Sequence, residues 1–487
     1  MVDFRKLIKT KVKKDVENLI ELFNTLDRQT SHIELRTIQQ EALRMLSDRR
    51  NEHDLILKLS TGTGKTTIGL LYLYSFMEEL KRPVVYLCPT RQLTKQVQAE
   101  SEKMGIKSVI YPHGETYPDS DGTAGKAIII CTYKKLFNAK TTFDRTDVML
   151  RPCAFVLYDA HSGIEEIRAS FTLSISGDGL HKELLNIFNE SCRKYNYGTW
   201  HDVFEKGEFN ALMEVPFWIW RPLLPEVERT ISQFSEAGQY KFVIPYIRDV
   251  LRWCRCVIAG SGIEIIPDIL PVHKSDAFFR AEHRLFMSAT LADDSILVRE
   301  LGCDLSAAKN PILPESDKGL GERMVLAPSL VDKDLNREWV MGLSLALSKQ
   351  VRVVVLAQSE QKAKDWEKLG ATIFMGDDVE QAVQELKKID GDLKFAVFVQ
   401  RYDGIDLPDS SCRVLVLDGM PFGEGLVDKF DSSLKSIAGG IRNRLIYRIE
   451  QGMGRAVRSH ADYAVILVIV QAASPSNVAT GKREGAS

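Results

Sequence analysis

Short apolar runs recur along the chain between stretches with helical spacing. The first series is LILKL (55–59), PVVYLC (83–88), AIIICT (127–132), AFVLY (154–158) and RLFMSAT (284–290). The second is VRVVVLA (351–357), KFAVFV (394–399), CRVLVLD (412–418) and YAVILVIV (463–470). Their apolarity is continuous rather than alternating, which fits strands buried on both faces of a helix-covered parallel sheet. Two such series predict two doubly wound parallel-sheet α/β domains. Residues 166–278 interrupt the first series with helical patterning and hold Trp200, Trp218, Trp220 and Trp253, four of the six tryptophans. That concentration predicts a mainly helical insert with its own small core.

The predicted organisation is a basic N-terminal helix over 1–30, then a first α/β domain over 31–165 and 279–320. The insert spans 166–278, a second α/β domain 321–470, and SDKGLGER (316–323) is the hinge. Residues 471–487 are small and polar without periodicity, which fits a disordered tail, a truncation or a cloning remnant.

Composition narrows the class. The chain has 487 residues, 44% hydrophobic and 27% charged, with ample apolar material for several cores. No apolar run reaches the ~18–20 residues of a membrane span, and the N-terminus lacks the apolar region of a secretory signal. The expectation is a cytoplasmic protein, nucleoid-associated if bacterial, with no membrane partner. A net charge of -2 supplies no whole-molecule field for nucleic acid, although a groove on a neutral protein is able to be locally basic. The eight cysteines are scattered, and only Cys254 and Cys256 lie close, so reduced, buried thiols are expected.

LILKLSTGTGKTTIGLL (55–71) carries the strongest chemistry. A strand ends at Leu59, a glycine-bearing loop follows, and a helix opens near Lys65. In such a loop Gly62 and Gly64 let backbone N–H groups turn around phosphates, with Thr61 before the first glycine and Thr63 between the two. Lys65 reaches the β/γ oxygens, and Thr66, followed by Thr67, places its hydroxyl on Mg²⁺.

Further motifs follow in order: RTIQQEAL with Gln39, CPTRQLTKQ (88–96), CTYKKL (131–136), YDAH (158–161), MSATL (287–291), RYDGIDLP (401–408) and QGMGRAVR (451–458). Together with the phosphate loop they resemble a superfamily 2 nucleic-acid helicase. The Ala-His ending of YDAH, the helical insert before MSATL, and DGMPFG (418–423) make the resemblance XPD/DinG-like. It implies two RecA-like domains, ATP and Mg²⁺ as cofactors, and single-stranded DNA as partner, with RNA also open and movement 5′→3′. Many family members hold an iron–sulfur cluster on four cysteines between the phosphate-loop lysine and motif II. Here only Cys88, Cys131 and Cys153 lie there, at the wrong spacing, so no cluster is expected.

The resemblance also implies residue roles. Gln39 would recognise adenine through its amide. Arg455 and Arg458, three apart and so on one helix face, would serve as arginine fingers, with Gln451 one turn earlier positioning water or phosphate. Gly404 and Asp406 would line the nucleotide cleft. Thr90, Thr132 and Tyr133, just after strands, are candidates for backbone phosphates, and Arg401 and Tyr402 for a cation and a stacking face. Ser288, Ala289 and Thr290 resemble residues that couple nucleotide state to strand grip.

Motif II admits two registers. Matching Ala160–His161 to the family's Ala-His puts Asp159 where the catalytic Glu stands and Tyr158 where the Mg²⁺-binding Asp stands. Sliding by one makes Asp159 the metal residue but loses Ala and His, so fewer residues match. In the first register Asp159 still orients or deprotonates water beside His161, whereas a neutral phenol is a poor Mg²⁺ ligand. Three functions are therefore expected to compete: a helicase or translocase on single-stranded nucleic acid, an ATP-gated binding module with little hydrolysis, and a translocase that remodels protein–DNA complexes.

Overall fold

The computed structural model describes residues 15–28, 34–60, 62–112, 114, 119–145, 150–177, 179–209, 211–288, 293–317, 322–376, 378–399, 407, 409–419, 425–433 and 462–469. The chain forms two compact units, one of residues 1–319 with 423–441, the other of 320–422 with 442–487.

In the first unit the chain lays down β1 (Asp54–Lys58), β2 (Val84–Cys88), β3 (Ser108–Ile110), β4 (Ile128–Thr132) and β5 (Ala154–Leu157). It then leaves for the insert, with β6 (Leu173–Ile175), β7 (Leu212–Glu214), β8 (Cys254–Ala259) and β9 (Gly262–Pro267), and returns as β10 (His283–Ser288). The main sheet has the order β1-β10-β5-β2-β4-β3, and every pairing is parallel. Helix α1 (Thr37–Arg49) precedes β1, α2 (Lys65–Leu80) joins β1 to β2, α3 (Arg91–Lys103) follows β2 and α4 (Ala160–Ser170) follows β5.

Alternation along each strand explains why the apolar runs are unbroken, because both faces are covered. Leu55, Leu57, Val84, Tyr86, Val156, Leu285 and Met287 pack with α1 and α2 on one face. Ile56, Val85, Leu87, Phe155, Leu157 and Phe286 point to the other face, in a core that runs on without a break into Phe188, Trp200, Trp220 and Ile263 of the insert. The insert therefore shares its core with the sheet instead of owning one.

The insert is mainly helical, with α5 (Gly179–Tyr195) and α6 (Phe217–Gln233). It also carries an antiparallel sheet, β6-β9-β8-β7, absent from the sequence expectation. Trp200 and Trp220 fill the core, their indole N–H groups donating to Asn189 Oδ1 at 2.8 Å and the Leu251 carbonyl at 2.9 Å. Trp218 and Trp253 stay 56% and 57% exposed, so two of the four tryptophans do not serve as core.

The second unit holds β11 (Glu322–Leu326), β12 (Val353–Ala357), β13 (Thr372–Phe374), β14 (Phe395–Val399), β15 (Val414–Asp418) and β16 (Tyr463–Ile469). Their order is β11-β16-β15-β12-β14-β13, again all parallel. Helices α7 (Arg337–Ser348), α8 (Glu360–Glu367) and α9 (Asp378–Lys387) lie between them in sequence. Asp418, fully buried at the end of β15, accepts from Arg337 Nη2 at 2.8 Å and from the Trp366 indole at 2.7 Å, which ties α7 and α8 to the sheet. Glu322 and Arg323, at the end of the expected hinge, already belong to β11.

Candidate nucleotide site

In a parallel sheet all strands point their C-terminal ends to one edge, and ligands bind there. The loop 60–64 leaves β1, Ser288 closes β10 and Tyr158–Asp159 follows β5, and these are three adjacent strands. Thr90 and Thr132 lie at the ends of β2 and β4, next along the same edge.

Gly62 and Gly64 take positive φ of 80° and 86°, so the loop curls before α2 opens at Lys65. At φ 86° a side chain at Gly64 would be strained, and its Cβ would lie 2.2 Å from Gln39 Nε2, which would have to move. Gln39 is buried and uses both amide ends within the chain: Oε1 accepts from the Arg36 N–H at 2.9 Å, and Nε2 donates to the Gly64 carbonyl at 3.2 Å. Arg36 Nη1 donates to the Gly62 carbonyl at 2.8 Å. The donor and acceptor expected to read adenine thus brace the phosphate loop in this conformation.

Other bonds hold the same loop. Lys65 is buried, and its ammonium donates to the Leu59 carbonyl at 3.0 Å. Thr63 Oγ1 donates to the Ser60 carbonyl at 2.8 Å, and the Ser60 N–H donates to Asp317 Oδ2 at 2.7 Å. Thr67 differs from expectation: its hydroxyl donates to Glu100 Oε1 of α3 at 3.3 Å, a bond between helices instead of a phosphate contact. Lys58, at the end of β1, pairs with Asp294 at 2.8 Å.

Asp159 caps the start of α4 with φ 51° and ψ 62°, a left-handed conformation that non-glycine residues seldom adopt. Its Oδ2 accepts from the Ser162 hydroxyl at 3.0 Å. His161, buried just inside α4, has Nε2 3.1 Å from the Asp293 carbonyl and Nδ1 3.2 Å from Ser288 Oγ. A carbonyl only accepts, so Nε2 carries the proton and Nδ1 accepts from the Ser288 hydroxyl. Burial pushes the imidazole below its ordinary value, in keeping with that neutral tautomer. Motif II and the serine of MSATL are therefore joined by a direct bond.

Tyr158 is half-buried, its ring 6.1 Å from that of Tyr86. Burial pushes the Tyr86 phenol well above its ordinary value, with Tyr158, Cys88 and Tyr133 adding to the rise and Thr66 beside it opposing. Tyr133 corrects an expectation. It is fully buried over Gly163 of α4, and its hydroxyl donates to the Tyr158 carbonyl at 3.0 Å, so it braces motif II and has no face for a nucleic-acid strand. Thr90 caps α3, accepting from the Leu93 N–H at 3.3 Å, and Thr132 precedes a short helical turn; both are half-buried.

Thr61, Ala289, Thr290, Arg401, Tyr402, Gly404, Asp406, Gln451, Arg455 and Arg458 lie outside the described residues. Missed from the sequence were Arg36, Asp317, Lys58–Asp294 and the phenol of Tyr86. Arg36 alone had a local signal, standing three residues before Gln39 at a helix start. Thr66 and Asp159 supply a hydroxyl and one carboxylate. That set fits Mg²⁺, which binds through one or two carboxylates with waters and substrate phosphates. The neutral phenol of Tyr158 adds no anionic ligand. Cys88, Cys131 and Cys153 are buried, and burial pushes the Cys131 thiol up to about 12 and Cys153 to about 11.

Residues 32–191 match the family model for the res subunit of type III restriction enzymes, and residues 342–473 match that of a helicase C-terminal domain. No curated protein matches the sequence. Among solved structures the chain is similar to S. tokodaii Xpd4, at 16% identity and TM-score 0.55, over 89% of this chain and 95% of that one. It is also similar to an XPD helicase at 14% identity and TM-score 0.53, over 90% and 96% of the two chains. An apo XPD structure matches at 16% identity and TM-score 0.54, over 89% and 95%. At such identities the likeness is one of fold, two RecA-like domains.

Proposed function

We propose that this chain is an ATP-hydrolysing helicase of the XPD/DinG-like kind in superfamily 2, which moves 5′→3′ along single-stranded DNA with its hydrolysis slowed by Tyr158. The observation that carries the proposal is one sheet edge holding the glycine-turned loop with Lys65, the acid Asp159, and the Ser288–His161 bond.

Incoming phosphates would draw the Lys65 ammonium from the Leu59 carbonyl, a neutral acceptor, to the β/γ oxygens. Loop N–H groups and the start of α2 would hold the remaining phosphate charge. Asp159, fixed by Ser162, would orient water and accept its proton. Thr66 would hold Mg²⁺, joined by Asp159 only in the alternative register, and the ion when bound neutralises charge on the transferring phosphoryl group. Arg455 and Arg458 would add positive charge from the second domain, Gln451 would position water or phosphate, and Gly404 and Asp406 would line the cleft. Thr90 and Thr132 would hold backbone phosphates without reading bases, with Arg401 and Tyr402 on the other domain. Because Ser288 ends β10 and bonds His161, a change at Asp159 reaches MSATL through one hydrogen bond, a route from nucleotide state to strand grip.

Tyr158 also favours a second reading, an ATP-gated clamp with little turnover. Phosphate release and strand displacement by wild type and Tyr158→Asp decide between them. A restored metal-side carboxylate should raise the wild-type hydrolysis rate by about tenfold or more. No gain would refute the slowing role of Tyr158. Strand displacement without a rate gain would favour an adapted motor, and hydrolysis without displacement a translocase that remodels protein–DNA complexes.

A further inference from the structure

Between β15 and β16 the chain leaves the second unit, and residues 425–433 pack as part of the first. There α10 (Leu426–Ser433) lies on the antiparallel sheet of the insert. Val427 packs with Val257 of β8 and Ile266 of β9, flanked by Leu212, Leu426 and Phe430. Both ends of the helix are held by charge. At its start the Glu264 carboxylate accepts from the Leu426 N–H, where the helix dipole favours an anion. Near its end Arg255 of β8 grips Asp431 with two parallel bonds, Nη1 to Oδ2 at 3.0 Å and Nη2 to Oδ1 at 2.6 Å. Arg255 Nε meanwhile donates to Glu214 of β7 at 2.6 Å. Asp431 is 2% exposed and Arg255 half-buried, so burial shields the carboxylate side of the fork.

Chain connectivity gives this contact a consequence. The strand leading into α10 ends at Asp418 of the second unit, and the strand after it, β16, lies in the same sheet. The insert is thus tied into a loop whose two ends are both fixed in the second α/β domain. We propose that Arg255, Glu264 and Asp431 form a clasp that transmits movement of the second domain to the insert, making them positioning residues for strand separation instead of hydrolysis. The inference rests on the proposed motor function, since it needs the second domain to move with nucleotide state.

The test uses the full chain with Arg255→Asp, Asp431→Arg, the double exchange, and Glu264→Ala. Hydrogen exchange over 425–433 reports the clasp itself. It should be slow in wild type, fast in the single variants and slow again in the double exchange, where the two opposite charges trade places and the guanidinium on α10 still has Glu214 nearby. Single-strand-stimulated phosphate release should be unchanged in all variants. Strand displacement should fall about tenfold in the single variants and recover in the double exchange. Unchanged displacement in variants whose 425–433 segment exchanges fast would overturn the inference. Phosphate release lost together with displacement, without recovery in the double exchange, would also overturn it, because the pair would then support folding alone. A wild-type chain without any phosphate release would instead sink the motor function, with the exchange pattern still reporting the clasp.

Discussion

Asp159 holds a left-handed backbone conformation where glycine would be at ease, and such strain is tolerated where the side chain has work to do. Its carboxylate is the only acid motif II offers, and it accepts from the Ser162 hydroxyl one turn on. Few of the bonds around it were legible in the sequence. Lys65, Gly62, Gly64 and Thr66 were, because loop chemistry demands those residues at that spacing. The clamp of Asp317 on Ser60 was not, because 257 positions separate the partners and only folding joins them. The role of Tyr133 was hidden for a similar reason: a tyrosine after a strand reads alike whether it faces solvent or closes over a helix glycine. His161 allows a test at this scale. Its folded-state value is depressed, so below about pH 6.5 the unfolded chain takes up a proton that the folded chain refuses. Stability contributed by this site is therefore present above that pH and lost as pH falls through it. Thermal unfolding of wild type and His161→Asn across pH 5–8 should show a steeper acid decline in wild type; parallel profiles would remove His161 as the cause.

Strand geometry decides which elements a sequence reveals. β1, β2, β4, β5, β10, β12, β14, β15 and β16 stood out as unbroken apolar runs because helices cover both faces of the sheet. β3 and β13 end their sheets, and their residues stay half-buried or exposed, so SVI and TIF carry too little apolarity to stand out. β11 is an edge strand with four of five residues exposed, and its first two residues, the charged Glu322 and Arg323, fell within the expected hinge. The hairpin of β8 and β9 had a local sign, CRCVIA and GIEIIP around Gly260 and Ser261, that the surrounding helical pattern masked. At the opposite edge of the first sheet from the site, β1 and β10 are locked by a buried ion pair. Arg284 Nε and Nη2 reach Asp54 Oδ1 and Oδ2 at 2.7 and 2.6 Å, and the Asp304 N–H donates to Asp54 Oδ2 at 2.7 Å. Removing one partner leaves a buried charge. Arg284→Met should cost about 3–5 kcal/mol in urea unfolding, and Asp54→Leu together with Arg284→Met should recover much of it. A loss below about 1 kcal/mol for Arg284→Met would show that water solvates Asp54 after all.

For the whole molecule, the net charge of -2 carries no functional message, and binding of a strand must come from local groups at the sheet edges. Each unit places strand ends at such an edge, and the clasp at α10 returns the chain of the second unit to the insert of the first. The candidate nucleotide residues sit at the edge over β1, β10 and β5, and α10 sits on the antiparallel sheet of the insert. The motor class was legible because its motifs follow one another in order along the chain, whereas the clasp joins positions 176 apart, Arg255 and Asp431, and has no motif. The central claim is that nucleic acid drives ATP hydrolysis at the Lys65 loop. Phosphate release should be measured for wild type and Lys65→Ala, each with and without a single-stranded DNA oligonucleotide. Release that rises with the strand in wild type and is absent in Lys65→Ala is the predicted result; equal rates for the two proteins would contradict it.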